Sequence, residues 1–164
     1  MKKEERKNTA KRVAADGVLM AVLIILGMIK LPSFFPGAEF QMSAPYAVCL
    51  AAAVGFRRYL TIGICSSIIQ LLLGTHTIWN VAVAMVFRIT AGIIVTAFPR
   101  SRAALAAAGP AGTAAARIVL AFILRVPLFP LLAAAVPGMI FTAVCAAAGG
   151  TVVCKTLKRE ELSL

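Results

Sequence analysis

Apolar residues run along this chain in long blocks that short polar stretches separate. A helix of roughly 20 apolar residues, with a range near 17–25, crosses the hydrocarbon core of a bilayer. Six membrane-spanning segments are therefore predicted, at residues 13–29, 42–56, 59–74, 77–98, 103–124 and 127–154. The second is short. The sixth is long and carries Pro130 and Pro137, which favour a kink or a later start.

Composition supports a bilayer as the solvent. The 164 residues are 61% hydrophobic with a mean hydropathy of +0.94, whereas a soluble domain is about 45–50% apolar. The predicted fold class is an all-α integral membrane protein, a bundle of six transmembrane helices. Residues 1–12 would form a basic N-terminal arm, 13–154 the membrane domain and 155–164 a tail. The first block is interpreted as a retained helix, because no A-x-A site followed by a polar mature region is present.

The positive charges predict an orientation. The formal net charge is +11, and Lys and Arg cluster in the N-terminal arm, at 57–58, at 100–102 and in the tail. These are alternate connections, and the other side carries only Lys30 and Arg125. The positive-inside rule then places both termini in the cytoplasm of a cell carrying this protein in its plasma membrane. The basic residues are interpreted as topology signals and lipid headgroup contacts, so no nucleic-acid partner is predicted.

Two arginines, Arg88 and Arg117, lie inside apolar segments. A charge near the bilayer centre costs about 2.5–3.5 kcal/mol on insertion scales and usually faces the bundle interior. They are candidates for binding an anionic or polar ligand; a structural pair, snorkelling or a shifted helix boundary are the alternatives. Asn80, Ala84 and Arg88 are spaced i, i+4, i+8 and share one helix face. Trp79 beside them is a candidate ligand contact or an interfacial anchor.

The connections on the predicted outer side carry further candidates. The stretch "GTHTIWN" holds the only His and the only Trp, and His76 is interpreted as a solvated loop residue. The connector 30–41 holds three Phe and is expected to fold over the mouth of the bundle, with Phe35, Glu39 and Gln41 as candidate ligand contacts. The alternative is an interfacial re-entrant segment that touches no ligand.

A stripe of small residues marks the first segment. Ala10, Ala14, Gly17 and Ala21 lie at i, i+4, i+7 and i+11 on one helix face. Small-xxx-small seams allow another helix to approach closely. The seam could serve a partner protein or the other helices of this chain.

Enzymatic motifs are absent from the sequence. It has no Walker A, G-x-S-x-G or H-E-x-x-H motif and no paired carboxylates within a segment. The four Cys show no metal-ligand spacing. We therefore expect a protein that is not an enzyme and that uses no metal and no cofactor.

The layout resembles a known family. A basic arm leads into a first helix with an A-x-x-x-A seam, followed by the loop "IKLPSFFPGAEFQMSAPY", a short second helix and the basic turn "GFRRYLTIG". This arrangement is similar to the substrate-binding S component of an energy-coupling factor (ECF) transporter. The resemblance implies capture of a vitamin or similar micronutrient from outside. It also implies docking on a transmembrane coupling subunit that carries two cytoplasmic ATPase subunits.

The resemblance also assigns roles to residues. The family's A-x-x-x-A contact with the coupling subunit would correspond to Ala10 and Ala14, extended by Gly17 and Ala21. The family's ligand sites use the loop after helix one and helices four to six. Those regions hold Phe35, Glu39, Gln41, Trp79, Asn80, Arg88 and Arg117.

Three functions stay open on the sequence. In the first, an S component captures a small nutrient with a carboxylate, since a guanidinium binds a carboxylate bidentately and Trp79 and Phe35 could stack on a ring. In the second, the chain is a structural or assembly subunit of a membrane complex and binds no ligand. In the third, it is a stand-alone carrier of small solutes.

Overall fold

Six helices and one small hairpin make up the part of the chain that the computed structural model describes, residues 2–31, 40–99 and 101–162. The helices are α1 (Lys2–Met28), α2 (Ser43–Val54), α3 (Phe56–Leu72), α4 (Ile78–Ala97), α5 (Arg102–Leu124) and α6 (Leu128–Leu162). The hairpin pairs β1 (Lys30–Leu31) with β2 (Phe40–Gln41) in antiparallel register, Lys30 opposite Gln41 and Leu31 opposite Phe40. Each predicted segment thus contains a helix.

The helix ends differ from the prediction mainly at the two termini. Helix α1 begins at Lys2 rather than at 13, and α6 ends at Leu162 rather than at 154. Both extensions are rich in Lys, Glu and Arg, which have high helix propensity, so the backbone continues as helix beyond the apolar block. Pro130 lies in the first turn of α6, where its missing N–H costs no helical hydrogen bond. The division into arm, membrane domain and tail stays a prediction.

Over residues 2–31, 40–99 and 101–162, three helices are long and apolar enough to cross a membrane: α4, α5 and the Leu128–Gly150 part of α6. Helix α2 is a shorter apolar helix. Large apolar side chains also face outward, with Leu72 81%, Phe122 87% and Phe129 82% exposed. Such a surface is unfavourable in water and suits lipid. The chain is therefore a helical membrane protein, while six spans and the position of the termini remain predictions.

Helix α2 is the centre of the bundle and packs against all five other helices. One buried cluster joins it to α1 and α3, and a second joins it to α4, α5 and α6. Its buried face is built largely from small residues, among them Ala47, Ala51 and Ala53. Small side chains let several helix backbones approach one another closely, which accounts for the position of α2.

The shortness of α2 creates room at one end of the bundle. Twelve residues give a helix about 18 Å long, whereas the bilayer core is about 30 Å thick. At its C-terminal end, Gly55 turns the chain directly into α3 with φ 82°, a value that glycine adopts without strain. At its N-terminal end, Ser43 and Ala44 line a cavity that the longer neighbouring helices enclose.

Candidate functional site

The cavity at the N-terminal end of α2 has a volume of 310 Å³, and all six helices contribute to its wall. Small-molecule sites commonly occupy about 300–1,000 Å³ and combine apolar walls with a few polar groups. Here the apolar wall includes Leu23, Val83, Phe87 and Leu120. The cavity is thus of a size and character suited to one small molecule.

Four of the sequence-predicted site residues meet in this cavity: Trp79, Asn80, Arg88 and Arg117. Asn80 and Arg88 lie on the wall together with Ala84, as their spacing along α4 predicts. Asn80 is held at the start of α4, where its backbone N–H donates to the Thr77 hydroxyl at 3.3 Å. Whether these residues contact a ligand remains a prediction.

Arg88 is buried, only 6% exposed, and lies against α3. Its Nη1 donates to Ser67 Oγ at 2.5 Å and contacts Met85 Sδ at 3.8 Å, while its Nη2 donates to Ser66 Oγ at 3.3 Å. A Cβ added at Gly63 would lie 2.6 Å from Arg88 Cδ, so a glycine is needed for the side chain to lie there. The hydroxyls fix the guanidinium without neutralising its charge.

Arg117 projects from α5 and is half-buried. Within the described part of the chain it makes no hydrogen bond and no ion pair. Thr113, one helical turn earlier, lies on the same wall. Two guanidinium groups therefore line one cavity, and none of the lining residues that the structure describes is Asp or Glu.

The turn between α3 and α4 corrects the prediction for His76. The Gln70 carbonyl accepts hydrogen bonds from the backbone N–H groups of Thr75 and His76, at 3.1 and 3.2 Å, and from the Thr75 hydroxyl at 3.0 Å. These bonds close the turn over the end of α3. His76 is consequently half-buried and lines the cavity rather than standing in solvent.

Sequence reasoning missed the polar residues that complete the wall: Ser43, Ser67, Gln70, Thr113 and Thr142. A signal for some of them exists. Gly63, Ser67 and Gln70 are spaced i, i+4 and i+7, which places them on one face of α3. Thr113 precedes Arg117 by one turn in the same way. Thr142 was not identified from the sequence. Its hydroxyl donates a hydrogen bond to the Gly138 carbonyl of its own helix.

The connector 30–41 is described only at its base. Phe35 and Glu39 lie outside the described residues. Gln41 lies in β2, whose backbone pairs with β1 and contacts α6. The base of the connector is therefore anchored beside α6.

The small-residue seam of α1 lies on an open face. Helix α1 packs against α2 and α3 with Leu19, Met20 and Leu23. Ala10, Ala14 and Ala21 are exposed, and a Cβ added at Gly17 would meet nothing within 4 Å. Among the described residues the seam is thus largely uncovered, and its contact with a partner protein stays a prediction.

A similarity search gives one relative of clear significance. Protein BioX of Lysinibacillus sphaericus is 46% identical over 139 residues, which cover 85% of this chain and 84% of that protein. No protein-family profile matches the sequence. The alignment covers more than four fifths of each chain, so the relationship concerns most of the helical domain.

Proposed function

Because this chain belongs to the BioX family, we propose that it is the substrate-binding membrane subunit, or S component, of an ECF-type vitamin transporter. It would capture a small carboxylate-bearing molecule from outside for ATP-driven uptake. The name of the relative indicates a connection with biotin, and the proposed substrate is a biotin-related compound. The single observation that carries the proposal is that Arg88 and Arg117 line one cavity whose described wall residues include no acid.

The chemistry of the cavity supports binding of a carboxylate. A buried guanidinium that is held by neutral hydroxyls keeps its full charge and two well-oriented N–H donors. Inside a helical bundle in a membrane this charge is unfavourable until an anion arrives. Trp79 and Phe87 add flat apolar surface on which a ring or hydrocarbon chain could pack.

The exposed small-residue face of α1 supports the proposed contact with a coupling subunit. Ala10, Ala14, Gly17 and Ala21 would form the contact with a transmembrane coupling subunit, which in turn would carry two cytoplasmic ATPase subunits. A flat strip of small residues lets a partner helix approach closely in a bilayer. In this proposal both termini are cytoplasmic, six helices span the plasma membrane, and the cavity opens to the outside.

The experiment compares Arg88→Gln with Arg125→Gln. Arg125 lies in the turn after α5, is exposed and is absent from the cavity wall, so its variant removes an equal charge elsewhere. Each protein is purified in detergent, and the co-purifying small molecule is identified and quantified by mass spectrometry. Truncating one partner of a desolvated charge pair costs about 2–5 kcal/mol, so Arg88→Gln should weaken binding by on the order of 30-fold or more. Arg125→Gln should bind as the wild type does.

Other outcomes point to the other functions. Absence of any bound or bindable small molecule in well-folded wild-type protein would favour a structural subunit. Uptake in cells that lack every coupling subunit would favour a stand-alone carrier. Equal ligand retention by Arg88→Gln and the wild type would overturn the site assignment. Co-purification of ATPase subunits, lost when Gly17 is replaced by a bulky residue such as Leu, would support the role of the α1 seam.

A further inference from the structure

Ser66 and Ser67 both accept a hydrogen bond from the Arg88 guanidinium, but their hydroxyl protons are used differently. A serine hydroxyl can accept hydrogen bonds and also donate one. Ser66 does both, because its Oγ donates to the Gly63 carbonyl at 2.9 Å. Ser67 Oγ accepts from Arg88 Nη1 and donates to no acceptor among the residues that the structure describes. Ser67 therefore keeps one hydrogen-bond donor in reserve.

This donor lies at the cavity. Ser67 is only 4% exposed and forms part of the cavity wall, whereas Ser66 is fully buried behind it and is not on the wall. Buried polar groups in proteins nearly always have a hydrogen-bond partner, and a donor without one is unfavourable. An unused donor on a cavity wall thus indicates a partner that enters the cavity.

Gln70, three residues further along α3 and also on the wall, does not take the Ser67 proton. Its Nε2 donates to the Ser66 carbonyl at 3.2 Å, and this acceptor fixes the orientation of the amide. Its Oε1 has no hydrogen-bond partner in the described part of the chain. This oxygen lies against α1, since a Cβ added at Gly27 would be 2.7 Å from it. The amide oxygen is thus turned toward another helix, and the Ser67 proton stays available.

The Arg88 guanidinium makes the Ser67 hydroxyl a stronger donor. Because Nη1 donates to Ser67 Oγ, a lone pair of this oxygen faces Arg88 and the O–H bond is directed away from it. A hydroxyl that accepts from a cation is polarised, which strengthens the hydrogen bond that it donates. An anionic oxygen beside Arg88 would therefore meet N–H and O–H donors together. Resting on the proposed function, we infer that Ser67 is a direct ligand contact, whose hydroxyl donates to the same carboxylate that Arg88 binds.

The test separates direct contact from positioning of Arg88 by comparing Ser67→Ala with Ser66→Ala. Each variant removes one hydrogen bond to the guanidinium, but only Ser67→Ala also removes a hydroxyl from the cavity wall. Isothermal titration calorimetry on the full chain in detergent measures binding of biotin, of octanoate as a plain carboxylate, and of any carboxylate that co-purifies. We expect Ser67→Ala to lower the affinity on the order of 30-fold and Ser66→Ala by roughly three- to tenfold.

The same two substitutions are then made in Arg88→Gln, where positioning of the guanidinium no longer matters. Ser67→Ala should lower the affinity by a further factor of about five, because its bond to the carboxylate does not pass through Arg88. Ser66→Ala should change the affinity of Arg88→Gln by less than about twofold. Ser67→Thr keeps the hydroxyl and should keep most of the affinity, which separates loss of the hydrogen bond from loss of fold.

Two results would overturn the inference and leave the proposed function standing. The first is no further effect of Ser67→Ala in Arg88→Gln, since Ser67 would then act only by holding the guanidinium. The second is an equal loss of affinity in Ser66→Ala and Ser67→Ala. Failure of every carboxylate to bind the folded wild type would remove the proposed function together with the inference.

Discussion

Arg58 lies 2.5 Å from the Asp16 carboxylate, whereas Arg88 and Arg117 line a cavity with no carboxylate among its described wall residues. The first pair joins α1 to α3 near the Gly55 end of the bundle, and the second pair lies at the opposite end. The chain can thus place an acid beside an arginine where an ion pair connects two helices. At the cavity Arg88 is hydrogen-bonded to serine hydroxyls instead. Under the proposed function, the counter-charge for the cavity comes from the bound ligand.

The difference between the two arginine environments is tested most directly by introducing an acidic residue into the cavity wall. In Thr113→Asp the new carboxylate lies one turn before Arg117 on the same wall, the favourable order for an i, i+4 ion pair. The new carboxylate should form an ion pair with Arg117 and repel the carboxylate of an incoming ligand. We expect ligand affinity to fall by on the order of 100-fold, because a charge pair is replaced by a like-charge contact. Titration calorimetry with the co-purifying compound measures the change.

Thr113→Asn is the matched control, since it has the same shape as Asp without the charge. It should change affinity by only about threefold or less, as expected for a neutral polar substitution. If Thr113→Asp and Thr113→Asn weaken binding equally, the effect comes from the shape of the side chain. The absence of a carboxylate beside Arg117 would then not matter for ligand binding.

Ser66 allows the positioning of Arg88 to be tested apart from contact with the ligand. Its hydroxyl accepts from Arg88 Nη2 at 3.3 Å, yet Ser66 is absent from the cavity wall. Ser66→Ala removes one hydrogen bond to the guanidinium, and a bond of this kind contributes about 1–2 kcal/mol. We expect affinity to fall by roughly three- to tenfold, through a less well-fixed Arg88.

Thr96→Ala is the control for the loss of a helix hydroxyl away from the cavity, because Thr96 is exposed and bonds only carbonyls of its own helix α4. It should bind ligand as the wild type does. Unchanged affinity in Ser66→Ala would show that Arg88 needs no support from this hydroxyl, and the role of α3 would then fall to Ser67 and Gly63.

Most of the helical layout was predictable, because long apolar blocks and the short turns between them leave little freedom. Asn80, Ala84 and Arg88 were predictable as one face from their spacing alone. The contribution of α3 was not predictable, because Ser and Gln in an apolar helix indicate a site only when a neighbouring helix places Arg88 against them. The sequence also gave no sign of how α3 and α4 pack, and therefore none of the bond between Ser67 and Arg88.

The helix ends and the turn at His76 show the same limit. The sequence predicted α1 from apolar residues and so missed the helix through the charged start, where local propensity rather than burial favours helix. His76 was placed in the correct turn, but its burial depends on three hydrogen bonds to the Gln70 carbonyl that a pattern of residue types does not contain. The ion pair between Arg58 and Asp16 was not predictable either, because it depends on how α1 packs against α3.

The smallest effect is expected for a substitution in the ion pair between Asp16 and Arg58. In Asp16→Asn the carboxylate beside Arg58 becomes a neutral amide of the same shape. Both side chains are partly exposed, 33% for Asp16 and 22% for Arg58, so water already screens the pair. We expect the free energy of unfolding to fall by about 1 kcal/mol or less, measured by thermal unfolding in detergent, and the ligand affinity to stay unchanged. A marked loss of ligand affinity would mean that the charge at one end of the bundle is coupled to the cavity at the other. The cavity could then no longer be regarded as an independent site whose charge only a ligand balances.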